Sequence, residues 1–140
     1  MNYTKIIAST ILLATMAVSV NAEIAVIVSR DNQNAKMDQD SIARIFLGKS
    51  SSFPNDADAT AVDMKKGSDE HNEFTESFLD KTPNQLATYW SRLIFTGRAR
   101  PNKEVSSAAE MKKIVAKNAN MIGYIDASDV DNSVRVVAKQ

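Results

Sequence analysis

The chain has 140 residues, and its 17 basic and 17 acidic side chains leave it with no formal net charge. This balance excludes the strongly basic surface with which proteins bind nucleic acid or an anionic membrane. The chain has no cysteine, which excludes disulfides, thiolate metal sites and cysteine nucleophiles.

Residues 1–22 have the pattern of a secretory signal peptide. Lys5 supplies a positive charge, residues 6–20 form an uncharged apolar run, and Ala22 ends a small-residue cleavage pattern. The apolar run is too short for a comfortable membrane span, which needs about 20 apolar residues. We therefore expect cleavage after Ala22 and a single domain, residues 23–140, with no membrane insertion. An exported chain without cysteine indicates the periplasm of a Gram-negative bacterium.

The mature chain predicts an α/β domain with the element order β-α-β-α-α-α-β-β. Short apolar, β-branched runs predict the strands, and each helix follows a Ser, Thr or Asp suited to an N-cap. Two of these starts, at Thr82 and Ser107, also have the Gln or Glu that completes a capping box. Strands are expected at 23–28, 60–64, 121–125 and 133–138, helices at 38–46, 68–79, 82–93 and 107–115, and a loop at 95–103. Alternating strands and helices favour a mixed sheet flanked by helices.

The start of the second helix is the first candidate ligand site. Gly67 lets the backbone approach a ligand, the first-turn N–H groups and Ser68 can donate, and Lys65 and Lys66 add positive charge. An ordinary helix cap with solvated lysines fits the same residues, and the two acidic residues after Ser68 favour that interpretation. Both interpretations remain open from the sequence.

Other polar and aromatic residues give weaker signals. Arg98 and Arg100 lie in a glycine loop, where they fit an oxyanion, surface acids or a partner protein equally well. The single histidine, His71, is expected to be solvated, because a metal site needs several convergent donors. Trp90 is expected in the core, together with Tyr89 and Phe95. No catalytic triad can be assembled, so we expect no enzyme, cofactor or metal.

Four segments, in order, resemble the phosphate-binding proteins that serve ABC transporters. Residues 45–49 (IFLGK), the MKKGS segment at 64–68, Trp90 and the IGY segment at 122–124 resemble motifs of that family. The resemblance implies an α/β fold, specifically one lobe of a type 2 periplasmic-binding-protein-like fold with a mixed sheet flanked by helices. Family members clamp the anion between two lobes, whereas this chain resembles one lobe, and Met64 or Lys65 takes the place of the family's arginine.

The resemblance implies a periplasmic solute-binding role, with phosphate or a related oxyanion as ligand, for ABC transport or sensing. The residues expected to bind that ligand are Lys65, Lys66, Gly67, Ser68, Arg98 and Arg100. Partners would be an ABC permease or an envelope sensor, and a second copy of the chain could supply the missing lobe. The alternative is a ligand-free interaction or regulatory module that keeps the fold without transport function.

Overall fold

The computed structural model describes residues 22–140, so the predicted signal peptide lies outside the described residues, apart from Ala22. Within that part the chain forms five strands, four α-helices and a short 3-10 helix, Ala127–Asp129. The strands are β1 (Ile24–Ser29), β2 (Thr60–Met64), β3 (Lys103–Val105), β4 (Met121–Asp126) and β5 (Val134–Lys139). The α-helices are α1 (Gln39–Phe46), α2 (Asp69–Leu79), α3 (Pro83–Phe95) and α4 (Ala108–Lys117). None of these helices is both long and apolar enough to cross a bilayer.

The strands form one mixed sheet in the order β3-β2-β4-β1-β5. Strand β1 pairs antiparallel with β4 and β5, whereas β2 runs parallel to β3 and β4. All six residues of β1 are buried, so helices cover both faces of the sheet at this strand, as expected for a continuous apolar run. The predicted α/β class, with a mixed sheet flanked by helices, is confirmed.

Strand β3 was missing from the predicted order, since Lys103 was assigned to a loop. Its sequence, Lys-Glu-Val, has no apolar run, and its first two residues are exposed. The strand forms because it pairs along β2 at the edge of the sheet, with Asp63 opposite Glu104 and Met64 opposite Val105. This pairing is tertiary, and a three-residue polar strand has too weak a pattern to be recognised locally.

The helix starts follow the predicted caps. The side chains of Asp38, Ser68, Thr82 and Ser107 each accept a hydrogen bond from a backbone N–H of the first turn. The capping box at Thr82 is complete. At Ser107 only half of the predicted capping box forms. The Ser107 hydroxyl accepts from the Glu110 N–H, but the Glu110 carboxylate accepts from the N–H of Ser106 and not from that of Ser107, so the prediction of a complete box is wrong.

The core on the side of α2 is built around aromatic rings. Phe74 stacks on Tyr124 with ring centroids 3.8 Å apart, and Phe46 packs against both rings. On α4, Met111 packs directly over Gly123, where a Cβ atom would lie 2.4 Å from the methionine sulfur. The glycine of the IGY segment therefore allows α4 to lie close to β4.

Candidate functional site

A cavity of about 390 Å³ lies where β2 ends, α2 begins and α3 passes over them. Its polar lining comes mainly from the end of β2, the start of α2 and the segment around β3, with Ser91 added by α3: Asp63, Lys66, Gly67, His71, Asn72, Ser91, Asn102 and Glu104. Its apolar lining comes mainly from α3: Pro83, Leu86, Ala87, Trp90, Ile94 and Pro101. The cavity therefore has one polar side and one apolar side, a common arrangement for small-molecule sites.

The start of α2 supplies the groups suited to an anion. Gly67 has φ +83°, and a Cβ at this position would meet no atom within 4 Å, so the backbone borders open space. The N–H groups of Asp69 and Glu70 have no intrahelical acceptor because of their position in the first turn. Lys66 adds a positive charge to this edge of the cavity, whereas the carboxylates of Asp69 and Glu70 in the first turn oppose an anion.

Asp63 anchors the opposite part of the polar lining. Its carboxylate accepts hydrogen bonds from the Tyr124 hydroxyl at 3.0 Å and from the Asn102 amide at 2.9 Å. The same tyrosine oxygen accepts from the N–H of Met64 at 3.1 Å, and Asn102 also donates to the carbonyl of Phe46. These bonds tie the last residues of β2 to the aromatic core.

The pKa of Asp63 is raised above its ordinary value. Burial is the main cause, and the neighbouring Glu104 carboxylate raises the pKa further. The hydrogen bonds from Asn102 and Tyr124, and the proximity of His71, oppose the shift. Burial and the adjacent Asp63 also raise the pKa of Tyr124 well above its ordinary value, so its hydroxyl remains a donor.

The prediction that His71 is solvated is wrong. The side chain is only 6% exposed and lines the cavity, and its Nδ1 has no hydrogen-bond partner within residues 22–140. The sequence did contain a signal for this burial. His71, Phe74, Thr75 and Phe78 follow the i, i+3, i+4, i+7 spacing of one helix face, and all four are buried.

The structure brings some of the predicted ligand-binding residues together and leaves others apart. Lys66 and Gly67 line the cavity. Lys65 and Ser68 flank them without lining it, and the Ser68 hydroxyl is engaged locally, accepting from the His71 N–H and donating to the Lys65 carbonyl. Arg98 and Arg100 are exposed on the loop after α3 and are not among the lining residues. Asp63, His71, Asn102 and Glu104 were missed, because the pairing of β3 with β2 and the packing of α2 bring them together.

The aromatic residues of α3 divide between core and surface. Trp90 is buried, which confirms the prediction, and Tyr89 donates a hydrogen bond to the carbonyl of Leu47. Phe95 is 93% exposed, so its assignment to the core was wrong. In residues 22–140 no group of three or more histidine, cysteine, aspartate or glutamate side chains is placed to hold a metal ion.

Solved structures of phosphate receptors contain the same arrangement of strands and helices. An ABC-type phosphate transport receptor from Vibrio cholerae superposes with a TM-score of 0.66 at 22% identity, over 83% of this chain and 46% of the receptor. A phosphate ABC transporter substrate-binding protein with bound phosphate, from Clostridium perfringens, gives a TM-score of 0.65 at 25% identity, over 83% and 45%. PstS from Borrelia burgdorferi gives 0.62 at 17% identity, over 84% and 47%.

The chain has a periplasmic-binding-protein-like fold. It spans less than half the length of the receptors that it matches. The sequence matches no protein-family model and no protein of curated function. At these identities the likeness to a phosphate receptor is a likeness of fold, and it does not identify a ligand for this chain.

Proposed function

We propose that the protein is a periplasmic solute-binding protein without enzymatic activity that recognises phosphate or a related oxyanion for ABC transport or sensing. The observation that carries the proposal is the opening of the α2 N-terminus, with Gly67 and Lys66, into a cavity of about 390 Å³. The fold shared with phosphate transport receptors supports a solute-binding role.

The polar side of the cavity fits an oxyanion that still carries a proton. Backbone N–H groups and the Lys66 ammonium would donate to the unprotonated oxygens. The partly buried Asp63 carboxylate would accept a hydrogen bond from a protonated oxygen, as hydrogen phosphate presents and sulfate does not. His71 adds a nearly buried side chain to the same lining.

Isothermal titration of the exported protein at low salt, with phosphate and with sulfate, tests the proposal. We expect saturable binding of phosphate and much weaker binding of sulfate. The two adjacent lysines provide a matched pair of variants, since both are exposed and only Lys66 lines the cavity. Lys66→Ala should weaken phosphate binding about tenfold, the effect of losing roughly one charge-assisted hydrogen bond, whereas Lys65→Ala should leave it nearly unchanged.

The other predicted residues enter the same experiment. Arg100→Ala tests the loop that leads into Pro101, and Ser68→Ala tests the helix cap. If Arg100→Ala weakens phosphate binding more than Lys66→Ala does, the anion binds at the loop after α3 and not at the start of α2. The absence of heat with every oxyanion, from protein shown to be folded, would contradict the proposal.

The surface beyond α3 supports a second candidate function, an interaction or regulatory module. Phe95 is exposed almost completely, and the arginines near it in the sequence, Arg92, Arg98 and Arg100, are also exposed. Protein interfaces are enriched in aromatic residues and arginine. In this alternative the partner is an envelope protein such as a sensor or a permease. A folded protein that binds no oxyanion but loses a partner on Phe95→Ser would favour it.

A further inference from the structure

Two carboxylates stand side by side on the polar wall of the cavity. Asp63 of β2 and Glu104 of β3 are direct neighbours in the register of the parallel strand pair, and both line the cavity. Like charges directly opposite each other on neighbouring strands are destabilising. In residues 22–140 neither carboxylate takes part in a salt bridge. The pair therefore presents negative charge that a positively charged group in the cavity would stabilise.

A second, independent feature lies beside the pair. His71 is only 6% exposed and lines the same cavity. Its Nδ1 has no hydrogen-bond partner in the described part of the chain. Because Nδ1 itself has almost no accessible surface, a ligand in the cavity would lie against the His71 ring, and N–H donors on that ligand could satisfy the two carboxylates.

The rest of the lining requires the same ligand to have an anionic end and a carbon skeleton. Gly67 at the start of α2 and the Lys66 side chain provide the groups suited to an anion. The apolar wall of Leu86, Trp90 and Ile94 faces them, and inorganic phosphate would leave this wall uncovered. The volume of about 390 Å³ falls within the range of sites for small organic molecules.

We infer that the ligand is a zwitterion, a phosphonate or phosphate monoester joined to an ammonium group by a short carbon chain. This inference rests on the proposed oxyanion-binding function and specifies its ligand class. The oxyanion would lie at the start of α2 with its protonated oxygen near Asp63, the ammonium would lie on the Glu104 side of the carboxylate pair, and the carbon chain would cover the apolar wall.

A set of three ligands tests the inference by titration calorimetry on the exported protein. Aminoethylphosphonate carries both groups, ethylphosphonate has the same anion without the ammonium, and inorganic phosphate has the anion alone. We expect aminoethylphosphonate to bind at least about tenfold more tightly than ethylphosphonate. Its ammonium group can donate charge-assisted hydrogen bonds to the carboxylates, and one such bond is enough for a tenfold gain in affinity.

Two glutamate variants identify which group provides the preference. Glu104→Gln removes the charge and keeps an oxygen for the Lys66 N–H, which Glu104 Oε1 accepts at 3.2 Å. Glu110 is the matched control, because it is also exposed and also accepts from a backbone N–H, that of Ser106, but it does not line the cavity. Glu104→Gln should abolish most of the preference for aminoethylphosphonate and leave ethylphosphonate binding intact or improved, and Glu110→Gln should change neither.

The outcomes separate this inference from the function on which it rests. If ethylphosphonate or phosphate binds as tightly as aminoethylphosphonate, the inference of a zwitterionic ligand is wrong, and the proposed oxyanion-binding function stands. If the preference exists but survives Glu104→Gln unchanged, the assignment of the ammonium to the carboxylate pair is wrong. If none of the three ligands binds to folded protein, both the oxyanion function and the inference are wrong.

Discussion

The hydroxyl of Tyr124 links the aromatic core to the cavity, because it donates to Asp63 and accepts from the N–H of Met64. Tyr124→Phe would keep the ring stacked on Phe74 and remove only the oxygen. The buried Met64 N–H and one carboxylate oxygen would then lose their partners. We expect the free energy of unfolding to fall by about 1–3 kcal/mol, the usual cost of leaving a buried polar group unsatisfied. Urea unfolding of the variant measures this loss.

Tyr89→Phe is the matched control. The Tyr89 hydroxyl also makes a single hydrogen bond to backbone, to the carbonyl of Leu47, but its side chain is only partly buried. Water can replace that bond, so the loss should be smaller than for Tyr124→Phe, about 1 kcal/mol or less. Equal losses in the two variants would show that the Tyr124 hydroxyl is not a special link between core and cavity.

Asp63 gives the protein a pH dependence of defined sign. Because its pKa is raised above the ordinary 3.8, the folded protein keeps this proton over a range in which the unfolded chain has lost it. The contribution of Asp63 to stability is therefore complete below pH 3.8 and falls as the pH rises through the folded pKa. Subtracting the pH profile of Asp63→Asn from that of the wild type isolates this contribution from that of Asp131. The pKa of Asp131 is lowered, mainly by its hydrogen bond with Lys112, so its contribution has the opposite slope.

The measurement is the free energy of unfolding of both proteins, determined from acid to neutral pH. The advantage of the wild type over Asp63→Asn should shrink as the pH rises. A difference that grows with pH would mean that the pKa of Asp63 is lowered in the folded protein. The hydrogen bonds from Tyr124 and Asn102 would then outweigh burial.

At the scale of single elements, α3 is the helix that supplies the apolar wall, and its first turn depends on Thr82. The Thr82 hydroxyl accepts from the Gln85 N–H at 3.2 Å, and the Gln85 side chain accepts from the Thr82 N–H at 3.0 Å. Thr82→Ala breaks the first of these bonds at an exposed position and should lower stability by about 1 kcal/mol. Thr88→Ala, in the middle of the same helix and exposed, should change stability little or increase it slightly. Thermal unfolding of the two variants checks the difference, and equal effects would contradict a role for the cap.

The elements also show which parts of the structure were predictable. Strand β2 has a local signal in its apolar, β-branched run, and the starts of α2 and α3 have local signals in their cap residues. These elements begin in the structure where the sequence predicts them. Strand β3 depends on pairing with β2, so no local pattern indicates it. The half of the site that was missed follows from this pairing. Glu104 becomes a neighbour of Asp63 only once the strand exists, whereas the spacing of His71 on α2 could have revealed its burial.

At the scale of the whole molecule, the described residues form one lobe built on a single sheet. This lobe superposes on less than half of each receptor chain. The cavity draws its lining from three separate segments, around Asp63–His71, along α3 and from Pro101 to Glu104. A ligand bound in the cavity would therefore stabilise contacts among segments that are distant in sequence. A ligand at 100 times its dissociation constant should raise the free energy of unfolding by about 2.7 kcal/mol, which provides a second, independent readout of the binding experiments.

The predicted export of the protein is compatible with the way in which the fold begins. Strand β1 starts at Ile24, and the exposed Glu23 before it accepts a hydrogen bond at its carbonyl from the N–H of Ala127. Cleavage after Ala22 would thus leave strand β1 complete. We expect protein recovered from the periplasmic fraction to have the mass of a chain that begins at Glu23. Ala22→Leu should block processing, because the peptidase requires a small residue there, whereas Ala22→Ser should preserve it. Recovery of the full-length chain in the cytoplasm or the membrane would overturn the assignment of the signal peptide and, with it, the periplasmic location on which the proposed function depends.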